Sequence, residues 1–92
     1  MTLEEARQDI DKIDNGLREL FLKRMKVSEA IAEIKAASGD EIYKPDREKA
    51  VIERLTEGMD ESLKAEYTDF ISNMMRISRE YQIKVIGDIE NK

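Results

Sequence analysis

Apolar residues in the N-terminal third recur at alternating steps of three and four: Leu3, Ala6, Ile10, Ile13, Leu17 and Leu20, then Val27, Ile31 and Ile34. This is the spacing of a heptad stripe along one side of a helix. One stripe position is taken by Arg24 instead. Thr2 followed by Glu5 has the form of a capping box, so a first helix is expected over about residues 2–37. Gly16 falls inside it, costs about 1 kcal/mol relative to alanine, and leaves room for a close backbone approach. Ser38-Gly39-Asp40-Glu41 reads as a stop and a loop.

A second helix is expected over about residues 45–57. Pro45 suits the first helical position, and Asp46 and Glu48 suit the positive end of the helix dipole. Val51, Ile52 and Leu55 form its apolar face, and Glu57-Gly58-Met59-Asp60 ends it. A third helix is expected over about residues 60–88. It carries one stripe of Leu63, Tyr67, Phe70, Met74, Ile77 and Tyr81, and a second of Ile71, Met75, Ser78, Gln82, Val85 and Ile89. The pattern predicts an all-α domain spanning residues 1–92, with three helices, one of them very long.

Length turns this into a statement about assembly. A helix of about 35 residues is about 52 Å long. A compact chain of 92 residues has a radius of gyration of only about 12 Å. The first helix cannot fit inside such a globule. It either protrudes with its apolar stripe bare or pairs with another chain, and an intertwined antiparallel homodimer is expected, with the first helix as its spine.

Composition narrows the chemistry. The chain has no Cys and no His, and 16 Lys+Arg against 21 Asp+Glu give a formal net charge of −5. Disulfides, thiolate metal sites and nucleophilic triads built on histidine are excluded, and neither metal nor cofactor is expected. Nucleic acid is an unfavourable partner for this charge balance. No apolar run approaches a membrane span, and Met1-Thr2-Leu3-Glu4-Glu5 is not a signal peptide, so a cytoplasmic protein is expected. Any chemistry must come from Arg, Lys, carboxylates and amides.

Three polar residues interrupt the apolar stripes: Arg24, Ser78 and Gln82. Lys35 lies about 20° round the helix from Arg24 and about 17 Å further along, on the same side. An arginine in an apolar stripe either snorkels, pairs with a carboxylate such as Glu48, or binds an anion. Ser78 and Gln82 taken singly read as satisfied core groups. Together the positions outline a polar pocket in a helical bundle, suited to a small anion. Arg7 lies about 42 Å from Lys35 on a straight helix. It is either a solvated surface residue or, from the partner of an antiparallel dimer, a further cation at the pocket.

Four pieces, in this order, carry a resemblance. They are Arg7 with Ile10-Asp11-Lys12-Ile13-Asp14, then Arg24 followed by Ile31-Ala32-Glu33-Ile34-Lys35, then Tyr43-Lys44-Pro45-Asp46-Arg47-Glu48, and last Ser78 through Gln82. Across essentially the whole chain this resembles the all-helical class of chorismate mutases. The resemblance implies rearrangement of chorismate to prephenate in a homodimer. It implies that Arg24 and the partner chain's Arg7 bind the substrate carboxylates, and that Lys35 and Gln82 donate to the ether oxygen. It further implies that Glu48 accepts from the ring hydroxyl beside Arg47, and that Ser78 lines the carboxylate end. Lys44 stands where many relatives carry Asp, leaving only a backbone contribution there. Such domains occur alone or fused to another enzyme of aromatic amino-acid biosynthesis, such as prephenate dehydratase or dehydrogenase. Two alternatives remain. One is an isochorismate pyruvate-lyase of the same fold, against which Glu48 argues. The other is a non-catalytic helical dimerisation or regulatory module, which has no need of Arg24, Ser78 and Gln82 in its stripes.

Overall fold

A computed structural model describes residues 1–91. It consists of three α-helices, α1 (Leu3–Ser38), α2 (Pro45–Thr56) and α3 (Glu61–Glu90), with no strand among the described residues. The helix ends follow from capping chemistry. Thr2 is extended, and its hydroxyl accepts from the Glu5 backbone N–H at 3.1 Å. The Glu5 carboxylate returns to that hydroxyl at 3.2 Å rather than to the Thr2 backbone. α1 stops where Gly39 turns left-handed at φ 73°, which lets its N–H reach the Lys35 carbonyl at 2.8 Å. Pro45 opens α2, and Asp60 caps α3 by accepting from the Ser62 N–H at 2.9 Å.

α3 is the central element. α1 packs on it and so does α2, but α1 and α2 do not pack on each other. α1 and α3 run parallel, since the segment near Leu17 faces Phe70 and Arg24 meets Ser78 further along both helices. Close approach is possible because the α1 face at the contact is small. Ser28 and Ala32, one turn apart, are both buried there. On α3 the buried positions are Ile71, Met75, Ser78 and Gln82, so the stripe with polar interruptions is the one that faces inward.

The three helices form a single layer. The extents are 53 × 28 × 14 Å, and the short one is little more than the roughly 10–12 Å diameter of one helix. The radius of gyration is 16.6 Å, well above the roughly 12 Å of a compact chain this long. A layer one helix thick has no inside. Ala32, Ile71 and Met75 are the only buried apolar residues among those described, whereas Leu3, Ile10, Ile13, Leu17, Leu20, Val27, Ile31 and Ile34 of the α1 stripe are all exposed. Gly16 meets nothing within 4 Å of where a Cβ would stand, so no close backbone approach occurs there within the chain. No helix among the described residues is long and apolar enough to cross a membrane.

The α3 cap carries a pH signature. The Ser62 backbone N–H, and then its hydroxyl, hold the Asp60 carboxyl below its ordinary value of 3.8. A lowered folded-state value means stabilisation that is present above the ordinary value and lost as pH falls through the lowered one. Asp60→Asn keeps a capping oxygen without the charge. It should therefore show a shallower loss of helix on acidification than the parent, read by circular dichroism along an acid titration.

Candidate active site

Because α1 and α2 both lie on α3 and not on each other, a gap remains between them with α3 as its floor. It forms a cavity of about 270 Å³. Arg24, Lys35, Lys44, Arg47, Glu48, Ser78 and Gln82 all line it. Seven of the eight residues singled out in the sequence thus converge, from three helices and the loop before α2. The eighth, Arg7, does not. It is exposed, seventeen residues before Arg24 on the same unbroken helix, hence about 25 Å away along the axis. Val27 and Ile31 of the bare α1 stripe also line the cavity, so it opens onto the surface that the single layer leaves uncovered.

The charge balance of this cavity is opposite to that of the chain. Arg24, Lys35, Lys44, Arg47 and Arg79 face one carboxylate, Glu48, in a chain of net charge −5. Most of these cations are held. The Arg24 guanidinium donates to the Ser78 hydroxyl, which also lies 3.4 Å from the Ser28 hydroxyl and 3.9 Å from the Met25 sulfur. The Lys35 ammonium donates to the Ile42 carbonyl at 2.9 Å. Lys44 turns to Asp40, 2.7 Å away. That hydrogen bond raises Lys44 above its usual value and lowers Asp40 below its own, both at the solvent surface.

Glu48 pairs with Arg79, not with Arg24. Arg24 points along α3 to Ser78, and the Glu48 carboxylate is reached instead from the next residue of α3, which faces α2. Gln82 is buried, and its Oε1 has no hydrogen-bond partner. The Gln82 side chain makes no hydrogen bond among the described residues, so its amide N–H groups remain as uncommitted donors on the cavity wall. An orphaned buried carbonyl is a cost that native folds rarely carry without a use for the group.

Two contributors were not read from the sequence. Ser28 had a usable signal, since it lies one turn after Arg24 and one before Ala32 on the same face. Arg79 had none. A charged residue beside a stripe in a chain this rich in charge reads as solvated, and only the seating of α2 on α3 reveals its partner.

This small all-helical chain gathers five cations, an amide and one carboxylate round a cavity between its helices. The family model described as chorismate mutase type II matches residues 6–83, and the chain belongs to that family. Its relatives include the bifunctional chorismate mutase/prephenate dehydratase of Aquifex aeolicus, 28% identical over 94 residues that take in 92% of this chain and 26% of that protein. The chorismate mutase of Methanocaldococcus jannaschii is 40% identical over 53 residues, 58% of this chain and 54% of that one. The chain therefore spans about a quarter of one curated relative and about half of the other. No solved structure matches it significantly.

The orphaned Gln82 carbonyl sets a test of the fold apart from any chemistry. Gln82→Met removes the unpartnered group at similar volume, and an unsatisfied buried polar group costs about 1–3 kcal/mol. Thermal melting of the variant should be unchanged or higher than that of the parent. A clear drop would mean that the amide is a structural bond.

Proposed function

We propose that the protein is a chorismate mutase, an isomerase that converts chorismate to prephenate by a pericyclic rearrangement. The observation that carries the reading is the convergence of Arg24, Lys35, Arg47, Glu48, Ser78 and Gln82 on one cavity in a member of this family. The reaction needs no nucleophile and no proton transfer, which suits a chain without His or Cys. It needs an extended dianion held in a compact, chair-like shape, with negative charge stabilised as it builds on the ether oxygen. Positioning and preorganised donors supply both.

In this reading Arg24, steadied by Ser78, binds one carboxylate through its planar fork. Lys35 and Gln82 donate to the ether oxygen, and Glu48 accepts from the ring hydroxyl beside Arg47. Lys44 serves that end through its backbone and its position at the start of α2. Gln82 is neutral, so its donor survives any change of pH. The second carboxylate needs a cation from outside the chain, because Arg7 of the same chain is about 25 Å too far along α1.

A homodimer answers that need and the bare α1 stripe together. A second layer laid antiparallel on the first covers Leu17, Leu20, Val27 and Ile31 and brings the partner's Arg7 to the open side of the cavity. We place the enzyme in the cytoplasm, either as a separate chain or joined to another enzyme of aromatic amino-acid biosynthesis. The Aquifex aeolicus relative is itself bifunctional. Isochorismate is the weaker substrate candidate, since the carboxylate of Glu48 lines the cavity.

Purified protein should consume chorismate, followed by its ultraviolet absorbance, without releasing pyruvate from isochorismate. Gln82→Ala should lose about 10²-fold or more in turnover, as expected for removal of a transition-state donor. The rate should stay level between about pH 6 and pH 8, where no neutral amide titrates. Absence of turnover above background would overturn the proposal.

The shared site has its own test. Arg7→Ala and Arg24→Ala should each be inactive with the mass of a dimer. Unfolded and refolded together, they should regain roughly a quarter of parental activity, because half the dimers are mixed and each has one intact site. No recovery would mean that Arg7 does not act across the dimer, and an active Arg7→Ala chain would place Arg7 outside the site.

A further inference from the structure

We infer that Arg79 is a positioning residue of the site: its guanidinium, held between the Tyr43 ring and the Glu48 carboxylate, fixes the acceptor end of the cavity and the loop beside it. The inference rests on the reading of Glu48 as the group that accepts from the substrate hydroxyl. Its structural half stands without that reading.

Three segments meet at this one side chain. Arg79 belongs to α3, Glu48 to the first turns of α2, and Tyr43 to the loop between α1 and α2. The guanidinium carbon lies 4.6 Å from the centre of the Tyr43 ring, a stacking distance for a cation on an aromatic face. One of its nitrogens donates to both oxygens of Glu48. The two side chains are only 27% and 21% exposed, so water screens the pair less than it does a surface ion pair.

No other cation takes this place. Lys44, one turn before Glu48 on the same face, is committed to Asp40, and the Arg47 side chain makes no ion pair or hydrogen bond among the described residues. Without Arg79 the Glu48 carboxylate would stand unpaired at the wall of a cavity that receives a dianion, and like charge would oppose binding. With it, each Glu48 oxygen accepts one bond from the guanidinium and keeps a further lone pair, and the charge is balanced by a neighbour on the same cavity wall.

The same guanidinium also steadies the loop. Lys35 from α1 holds the Ile42 carbonyl, and Arg79 from α3 holds the adjacent Tyr43. Two cavity cations thus grip successive residues of the segment that leads into Pro45 and α2. Loss of either grip loosens the register in which Glu48 is presented.

The experiment uses the whole chain. In the parent background, Arg79→Met should raise KM for chorismate about tenfold with kcat changed only a few-fold, the pattern of lost ground-state binding. Arg79→Lys should recover part of the loss. In a Glu48→Gln background the same Arg79→Met change should raise KM clearly less, because no carboxylate is left to balance and only the loop clasp is lost. Hydrogen exchange of the amides of residues 39–44 should quicken in Arg79→Met and in Tyr43→Ala but not in Tyr43→Phe, which keeps the ring. An equal KM penalty in both backgrounds would mean that Arg79 does not act through the Glu48 carboxylate, and would overturn the inference. So would an unchanged KM, or unchanged exchange of the loop. Failure of the parent to turn over chorismate would instead strike the proposed function, and the exchange measurements would still decide the loop clasp.

Discussion

A layer of helices one helix thick cannot enclose anything, and the rest of the molecule answers to that constraint. α1 is too long to be folded back inside a globule of this mass, so its apolar stripe lies open along the whole face. What α3 does bury is narrow: two apolar residues, a serine and a glutamine, against a serine and an alanine of α1. In most small domains the inward stripe would be the apolar one. Here the inward stripe holds polar groups, and the wider apolar surface faces out, where only a second layer can cover it.

The gap between α1 and α2 follows from the same arrangement. An α2 that packed on α1 as well as on α3 would close it, and a fully apolar α3 would fill it. Four of the five cations around it are preset rather than loose, each against a different anchor. Arg24 rests on a hydroxyl, Lys35 on a backbone carbonyl, Lys44 on a surface carboxylate, and Arg79 on an aromatic face and Glu48. Fixing long side chains in advance removes rotamer entropy that a ligand would otherwise have to overcome. Arg47 and Gln82 have no such anchor, and they are the groups left to respond to whatever enters.

Much of this could be read from residue order because the signals were local. Thr2, Gly39, Pro45 and Asp60 mark helix ends through chemistry confined to a turn. Arg24, Ser78 and Gln82 announce themselves as breaks in a regular apolar spacing. The length of α1 compared with the size of the chain showed that this helix could not be enclosed in a globule, though not that the chain is a single layer. Arg79 was not legible, since its role depends on α2 lying against α3 in one register, and a charged residue beside a stripe is the ordinary surface pattern. Of the alternatives open for Arg24, pairing with Glu48 is the one the structure does not take, because residues 78 and 79 meet different helices although adjacent in the chain.

The parallel seating of α1 on α3 also shapes how the site comes together. The contact between Glu48 and Arg79 closes 31 residues of chain, whereas that between Arg24 and Ser78 closes 54. Loop-closure entropy grows only with the logarithm of length, so the longer closure costs about 0.5 kcal/mol more. Chain entropy therefore barely ranks the two halves of the cavity. What separates them is that α2 and α3 form a hairpin across a four-residue turn and can meet by local search, while α1 must arrive from a distance, bearing two of the cations with it. The α2–α3 wall of the cavity thus needs the shorter search, and the cavity is whole only once the longest helix has docked.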